Sequence, residues 1–273
     1  MGTELHYSCD VSSFPWPLRE AFVELTQDAA AEAFVRQAAS RPPGRLRTWA
    51  FRQLRTFMSD YDAYGNLGMY QMHLLSTEQW RTLLACPAGA AKLGQVLDVG
   101  AGRGDVTRSF LPLCETCHAI EPARSLRAEL QNLRVCVKRW DLCQTTVPAE
   151  ERYDLIMCLN VIDRVSHPKT LLRHAMQALR PGGRLVIAVP LPLAAHVDRG
   201  RVTVDQEEPL PEPAARWEQG VIALTEKLFG GLGLQTVRFT RAPYLCRGDA
   251  ESSLYALDDA LFVCRLRAPQ EPG

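Results

Sequence analysis

No stretch of this sequence approaches the roughly 20 consecutive apolar residues that a membrane-spanning helix requires. Its first ten residues, MGTELHYSCD, lack the basic segment and apolar core of a secretory signal. Gly2 does not make a myristoylation site, because His6 stands where that pattern needs Ser or Thr. Net charge is also missing: Lys+Arg and Asp+Glu both number 31. That balance argues against a protein that binds nucleic acid by neutralising many phosphates, though it leaves room for a local patch. No internal repeat or low-complexity tract interrupts the chain. The expectation is a cytoplasmic protein with neither a membrane nor a nucleic acid as its partner.

A disulfide framework is missing as well. The nine cysteines are odd in number and scattered, and Cys136, Cys158 and Cys264 sit in apolar runs. Such cysteines are expected to pack as small hydrophobes in a reducing compartment. Cys114-Glu115-Thr116-Cys117-His118 spells C-x-x-C-H, the attachment pattern of a c-type haem. Haem attachment needs export and an exposed segment, whereas this motif runs into a predicted strand. Zinc needs a second pair at ligand spacing, and none follows. Neither His118, His167 nor His174 forms a metal-ligand spacing, so no metal is expected.

What is present is ample apolar material: 47% of 273 residues, enough for one large domain or a domain with an extension. Residues 13–66 carry helical spacing, first in PLREAFVELTQDAAAEAFVRQAAS, where Leu18, Phe22, Leu25, Ala29, Ala33 and Phe34 share a face. A second face is expected from Leu46, Trp49, Leu54 and Phe57, after a break at Arg41-Pro42-Pro43-Gly44. Ser76 and Gln79 have capping-box spacing for a further helix. After Lys92 the texture changes to short apolar runs (QVLDVG, CHAIEP, VCVKRWD, YDLIMCLNVID, GRLVIAVP) separated by helical stretches. Strands alternating with helices predict a parallel sheet covered on both faces. LQTVRFTR and DALFVCRLR have only a loop between them, which predicts an antiparallel terminal pair. The fold class is therefore α/β, a Rossmann-like sheet with an antiparallel terminal strand. Residues 1–92 are expected to form a helical extension or lid, 93–268 the main domain and 269–273 a tail.

The run LDVGAGRGDV carries chemistry. Gly100, Gly102 and Gly104 let a strand turn tightly and bring backbone against a cofactor. Asp105 occupies the place of the third glycine of a dinucleotide fingerprint. The pattern, with Asp98 ahead of it, is the form typical of class I S-adenosyl-L-methionine-dependent methyltransferases. Gly100, Ala101, Gly102 and Gly104 are then expected to line the cofactor. Glu121, followed by Pro122 at the next strand end, is placed to accept both ribose hydroxyl protons. Asp141, after Trp140, falls where such folds put side chains beside the adenine. The alternative is a generic doubly wound domain whose acids are ordinary loop residues.

CLNVIDRVSHP follows the fourth strand of the main domain, and ligands in this fold sit beyond the carboxyl ends of the strands. Asn160 and Asp163 are expected to face the transferred methyl. A neutral imidazole, with an unperturbed pKa of about 6.5, is a competent nucleophile at neutral pH. It needs its other ring nitrogen held, and Asp163 suits that role. The alternative for Asp163 is a turn cap or a pair with Arg164.

Together, LDVGAGRGDVT, CLNVIDRVSHPKTLL, FTRAPYLCRGD and YALDDALFV resemble the DREV methyltransferases, the family of methyltransferase-like protein nine. The resemblance runs from about residue 45 to 266. It implies methylation of protein histidine at the pros nitrogen, in His-x-His segments with a small x. It also implies S-adenosylmethionine contacts from Asp98, Gly100, Gly102, Glu121 and Asn160. Asp163 would touch the substrate imidazole, with Tyr244 and Tyr255 walling the site. For both tyrosines a core ring with a surface hydroxyl is an equal alternative. Arg103 and Asp105 replace two acids of the family's usual loop, GAGDGE. Adjacent strand residues face opposite ways, so Asp258 and Asp259 read as turn or edge residues. Two further readings stay open: methylation of a small imidazole compound such as a histidine dipeptide, and a non-catalytic binding protein that keeps the fold.

Overall fold

The computed structural model describes residues 5–40, 44–54, 60–69, 71–199 and 202–267. Its centre is an eight-stranded sheet. Five strands run parallel: β2 (Leu93–Val99), β3 (Cys114–Ile120), β4 (Cys136–Lys138), β5 (Tyr153–Leu159) and β6 (Leu179–Pro190). A first short strand, β1 (Met72–His73), joins the far edge. Beyond a small hairpin of β7 (Val197–Arg199) and β8 (Val202–Val204), the long strands β9 (Leu234–Arg247) and β10 (Leu254–Leu266) complete it. The order is β1-β9-β10-β6-β5-β2-β3-β4, with β10 antiparallel to both β6 and β9. The expected Rossmann-like sheet with an antiparallel end is the architecture observed. Strand order reverses between β2 and β5, which opens a crevice at their carboxyl ends.

These strands are apolar almost throughout because both faces are covered. Leu97, Val99, Ile156, Cys158, Ile187, Val189 and Phe262 point into one core, and Val96, Leu155, Met157, Val186, Ala188, Leu261 and Val263 into the other. The crossover helices are α6 (Thr107–Phe110), α7 (Arg124–Asn132) and α8 (Pro168–Gln177), preceded in the chain by α1 to α5. Pro168 opens α8 where its missing N–H leaves nothing unpaired. Helix α9 (Trp217–Ala223) leads into β9. No helix among the described residues is long and apolar enough to cross a membrane.

The N-terminal region departs from the expected continuous helix. It divides into α1 (Trp16–Ala21) and α2 (Ala29–Ser40), with extended chain between. Two contacts impose the break. Val23 N–H donates to Phe239 O at 2.8 Å, drawing residues 22–23 against β9. Asp28 then caps α2 by accepting from Ala30 N and Ala31 N at 3.1 and 3.0 Å. Helix α3 (Arg45–Leu54) is rotated from its expected face: Leu46 and Trp49 are exposed, while Phe51 and Leu54 pack with Ala63 and Met69. The buried Thr48 turns the helix this way, its hydroxyl accepting from Ala250 N at 3.1 Å beside the β9–β10 turn. Phe57 and the 269–273 tail lie outside the described residues. Helix α4 (Asp60–Leu67) follows, and α5 (Thr77–Leu83) starts with the expected Ser76/Gln79 capping box.

The N-terminal elements share the cores of the sheet. Phe14, Leu18 and Ala21 join one core, and Leu25, Leu74, Leu75, Trp80, Leu83 and Leu84 the other. Phe239 is the meeting point, its ring 5.1 Å from Phe14, 5.3 Å from Phe22 and 6.1 Å from Phe262. Phe239→Ala is therefore expected to destabilise the protein by roughly 3–5 kcal/mol. Limited proteolysis should then cut the residues 5–28 segment first, and urea unfolding measures the loss.

Candidate active site

The glycine loop, where the cofactor is expected, is a turn that side chains would obstruct. After β2 the chain passes through Gly100 at φ +73° and Gly104 at φ +81°, backbone that L-residues rarely adopt. A Cβ on Gly100 would lie 2.5 Å from Val161 Cγ2, and one on Gly104 2.5 Å from Leu133 Cδ1. A Cβ on Gly102 meets nothing within 4 Å, so the loop faces open space there. Gly100 N and Ala101 N both donate to Ile120 O, at 2.8 and 3.2 Å. That ties the loop to the end of β3.

Glu121 is the next residue. Its Oε2 accepts from Gly102 N at 2.8 Å and its Oε1 from Ala123 N at 2.7 Å, so one carboxylate joins the glycine loop to the start of α7. Burial pushes its pKa up, and the two backbone donors pull it back. Each carboxylate oxygen keeps acceptor capacity beyond these bonds, as a ribose diol requires. Pro122 follows, its carbonyl oxygen accepting from Arg127 Nη1 at 2.8 Å. Asp98 is buried behind the loop and accepts from Thr107 Oγ1 at 2.6 Å. Burial raises its pKa to about 7. Asp141 lies past β4, exposed, its oxygens accepting from Cys143 N and Gln144 Nε2 at 2.9 and 2.7 Å. Trp140 beside it lies under Lys138, with Nζ 5.2 Å from the ring.

The two replaced acids have structural consequences. Asp105 Oδ2 accepts from Met72 N at 3.2 Å, joining the glycine loop to β1. Arg103 Nε and Nη1 are buried without a hydrogen-bond partner among the described residues, and Gly68, just after α4, lies beside the guanidinium.

Across the crevice, Asn160 is the first residue past β5, at φ +55°. Its N–H donates to Ala188 O at 2.9 Å, and its Nδ2 to Asp259 Oδ2 at 2.7 Å. Asp163 is fully buried, and neither carboxylate oxygen has a hydrogen-bond partner among the described residues. Arg164 Nε lies 3.2 Å from Oδ2 as an ion pair. Burial raises the Asp163 pKa, opposed by the charges of Arg164 and His196.

Asp259 corrects the sequence expectation. It is neither a turn nor an exposed edge residue but sits in mid-strand, fully buried, opposite Pro190 of β6 and Ala242 of β9. Asp258 faces the other way and pairs with Arg241, whose Nε is 2.8 Å from Oδ1. The alternation was legible, but not which acid turned inward. Burial raises the Asp259 pKa well above the carboxylate range, and Asp163 and Asp258 add to the effect. Tyr244 and Tyr255 lie on the Asp259 face of the β9–β10 pair, Tyr244 opposite Leu257 and Tyr255 opposite Cys246. The Tyr244 hydroxyl donates to Met72 Sδ. Tyr255 is 39% exposed and donates to Asp249 Oδ1 at 3.2 Å.

The C-x-x-C-H residues lie elsewhere. Cys114 Sγ donates to Phe110 O at 3.3 Å, His118 Nδ1 is 2.9 Å from Tyr153 Oη, and burial pushes the Cys114 thiol up to about 12.

The DREV methyltransferase family matches residues 6–266. The chain belongs to that family. Among curated proteins it is similar to the ubiquinone biosynthesis O-methyltransferase of Hydrogenovibrio crunogenus, 29% identical over 97 residues. That match covers 32% of this chain and 39% of the relative. The protein of the same name from Rickettsia typhi is 27% identical over 101 residues, covering 34% and 40%. The chain thus matches about two fifths of these relatives. Among solved structures it is similar to DhpI in complex with S-adenosylhomocysteine (TM-score 0.50, 19% identity, 82% of this chain and 98% of that one). It is also similar to the N-methyltransferase NodS of Bradyrhizobium japonicum (TM-score 0.46, 19% identity, 88% and 99%).

The residues of this DREV chain fit S-adenosylmethionine: acceptor capacity on Glu121, an open glycine floor at Gly102, and orphaned buried acceptors on Asn160 and Asp163 for a cationic group. One consequence is measurable without ligand. The folded state raises the Asp98 pKa, so it favours the protonated acid. That contribution is complete below the unfolded value near 4 and is lost as pH rises through about 7. Asp98→Asn should remove this slope. The difference in unfolding free energy between the variant and the wild type should change by up to about 4 kcal/mol across that window, read by urea titration.

Proposed function

We propose that this S-adenosylmethionine-dependent methyltransferase methylates a histidine imidazole at its pros nitrogen, in protein segments carrying His-x-His. The observation that carries the reading is the polarity of the site. Asp163 is fully buried, and among the described residues neither of its oxygens, nor Asn160 Oδ1, nor Asp259 Oδ1, has a hydrogen-bond partner. Such a cluster is costly alone and is relieved by an N–H donor that becomes positive. Methylating a neutral imidazole creates that cation. The buried acceptors therefore suit a nitrogen nucleophile that gains positive charge on methylation. The choice of histidine in proteins follows the DREV resemblance.

S-adenosylmethionine supplies an electrophilic methyl group on a sulfonium when bound. Glu121 would hold its ribose, with Pro122 alongside. Gly100, Ala101, Gly102 and Gly104 would line it, Asp98 would support the loop from behind, and Asp141 would stand beside the adenine. Asp163 would accept the N–H of the other ring nitrogen, keep the pros lone pair free, and receive the proton after transfer. Arg164, paired to Asp163 at 3.2 Å, favours its ionised form. Tyr244 and Tyr255 would wall the imidazole site.

The N-terminal region would act as a lid over the cofactor. Asp62 of α4 accepts from Ser125 N and Oγ at 3.1 and 2.8 Å, which sets α4 on the start of α7 just after Glu121.

The deciding experiment incubates pure protein with methyl-labelled S-adenosylmethionine and a peptide of alternating Ala and His. Label is expected on histidine, identified as the pros isomer by mass spectrometry of the hydrolysate. Label on another residue type, or none on histidine in this peptide or in a cell lysate, would overturn the reading. Two substitutions divide the site. Glu121→Ala should weaken S-adenosylmethionine by roughly 1.5–3 kcal/mol, the scale of hydrogen bonds to a charged group, measured by calorimetry. Asp163→Ala should leave that affinity intact and abolish most methyl transfer; full activity would refute the role given to Asp163.

A further inference from the structure

Asp259 takes no part in the methyl transfer proposed, although it is a fully buried carboxyl group. The charges that bear on it, Asp163 and Asp258, are both acidic, and the hydrogen bond it makes is to Asn160. That bond has a directional consequence. A side-chain amide presents an acceptor at one end and a donor at the other, and nothing in its shape selects between them. Asp259 Oδ2 takes Nδ2 at 2.7 Å, which sends Oδ1 the other way, buried and without a partner among the described residues.

The rest of Asn160 is equally constrained. Its backbone is in the left-handed region and its N–H is pinned to Ala188 O of β6, so the residue at the end of β5 is clamped by β6 and β10 together. It also abuts the glycine loop: the next residue, Val161, occupies the space a Cβ on Gly100 would take. The orphaned carbonyl oxygen is therefore held at the crevice between β2 and β5. A cationic sulfur and its polarised methyl hydrogens are suited to such an oxygen through weak C–H···O contacts, whereas an amide N–H there would repel them.

We propose that Asp259 is a positioning residue: by accepting from Asn160 Nδ2 it turns the Asn160 amide so that Oδ1, not an N–H, faces the sulfonium of S-adenosylmethionine. Asp259 touches neither cofactor nor substrate in this role. What it supplies is selection of the charged cofactor over its uncharged product.

The test uses the two cofactor forms alone. S-adenosylhomocysteine lacks the methyl group and the positive charge, so the ratio of the two affinities, measured by calorimetry on the full chain, isolates the contact. Asp259→Leu removes the acceptor while keeping the branched shape and should lower that ratio about tenfold, the scale of losing one oriented hydrogen-bond-type contact. Asp259→Asn keeps a side-chain carbonyl that can accept from Nδ2 and should preserve the ratio. If Asp259→Leu does not fold, Asp259→Ala removes the acceptor without added bulk and takes its place. An unchanged ratio in the folded Leu or Ala variant would overturn the proposal. So would a collapse in Asp259→Asn, which would instead mean that the ionisable acid itself is required. No methyl acceptor enters the measurement, so its outcome is independent of whether histidine is the substrate.

Discussion

Four carboxyl groups are buried toward the carboxyl edge of one sheet: Asp98, Glu121, Asp163 and Asp259. Burial raises the pKa of all four, and the protein compensates each differently. Glu121 takes two backbone N–H groups, Asp98 a hydroxyl, Asp163 a neighbouring guanidinium and Asp259 an amide. Both Asp163 oxygens and Asp259 Oδ1 have no hydrogen-bond partner among the described residues, and that incompleteness gives the site its character. An apolar parallel sheet has no room for such groups in its middle, so they gather where the parallel strands end, Asp259 by facing Pro190 at the end of β6. The result is a crevice rich in acceptors, suited to ligands that bring N–H donors and positive charge.

The surrounding elements hold this crevice from two sides. On one side, Glu121 bridges the glycine loop to the start of α7, and Asp62 sets α4 on the same place. On the other, the β9–β10 pair carries Asp259 inward and Tyr244 toward Met72 of β1. Asp105 closes the circuit by binding Met72 N from within the glycine loop. The N-terminal residues are thus connected both to the loop and to the hairpin. This is why the region preceding the sheet is inseparable from its cores, with Phe14 and Trp80 packed as deeply as any strand residue.

Much of this was legible in the residues. The glycine pattern, the acid after β3 and the alternation of apolar runs specify a parallel sheet with a loop approached by backbone, and the Ser76/Gln79 spacing marks a helix start that the structure keeps. Local signals failed where a distant partner intervened. Helical spacing across residues 17–40 was interrupted because Val23 finds Phe239, more than two hundred residues away. Leu46 and Trp49 face outward because Thr48 bonds to the β9–β10 turn. Three residues of C-x-x-C-H imitate a haem site because spacing alone carries no information on burial.

By itself, then, the sequence determined the layer architecture, the place of the glycine loop and the family signature, since all three depend on local periodicity and on glycine's freedom of φ. Tertiary structure alone decided the roles of Asp258 and Asp259. Period-two alternation says that they oppose one another; which faces inward depends on the register of β10 with β6 and β9, where Asp259 meets Pro190 and Ala242. A shift of one residue would have buried Asp258, exposed Asp259 and left the Asn160 amide without the acceptor that orients it.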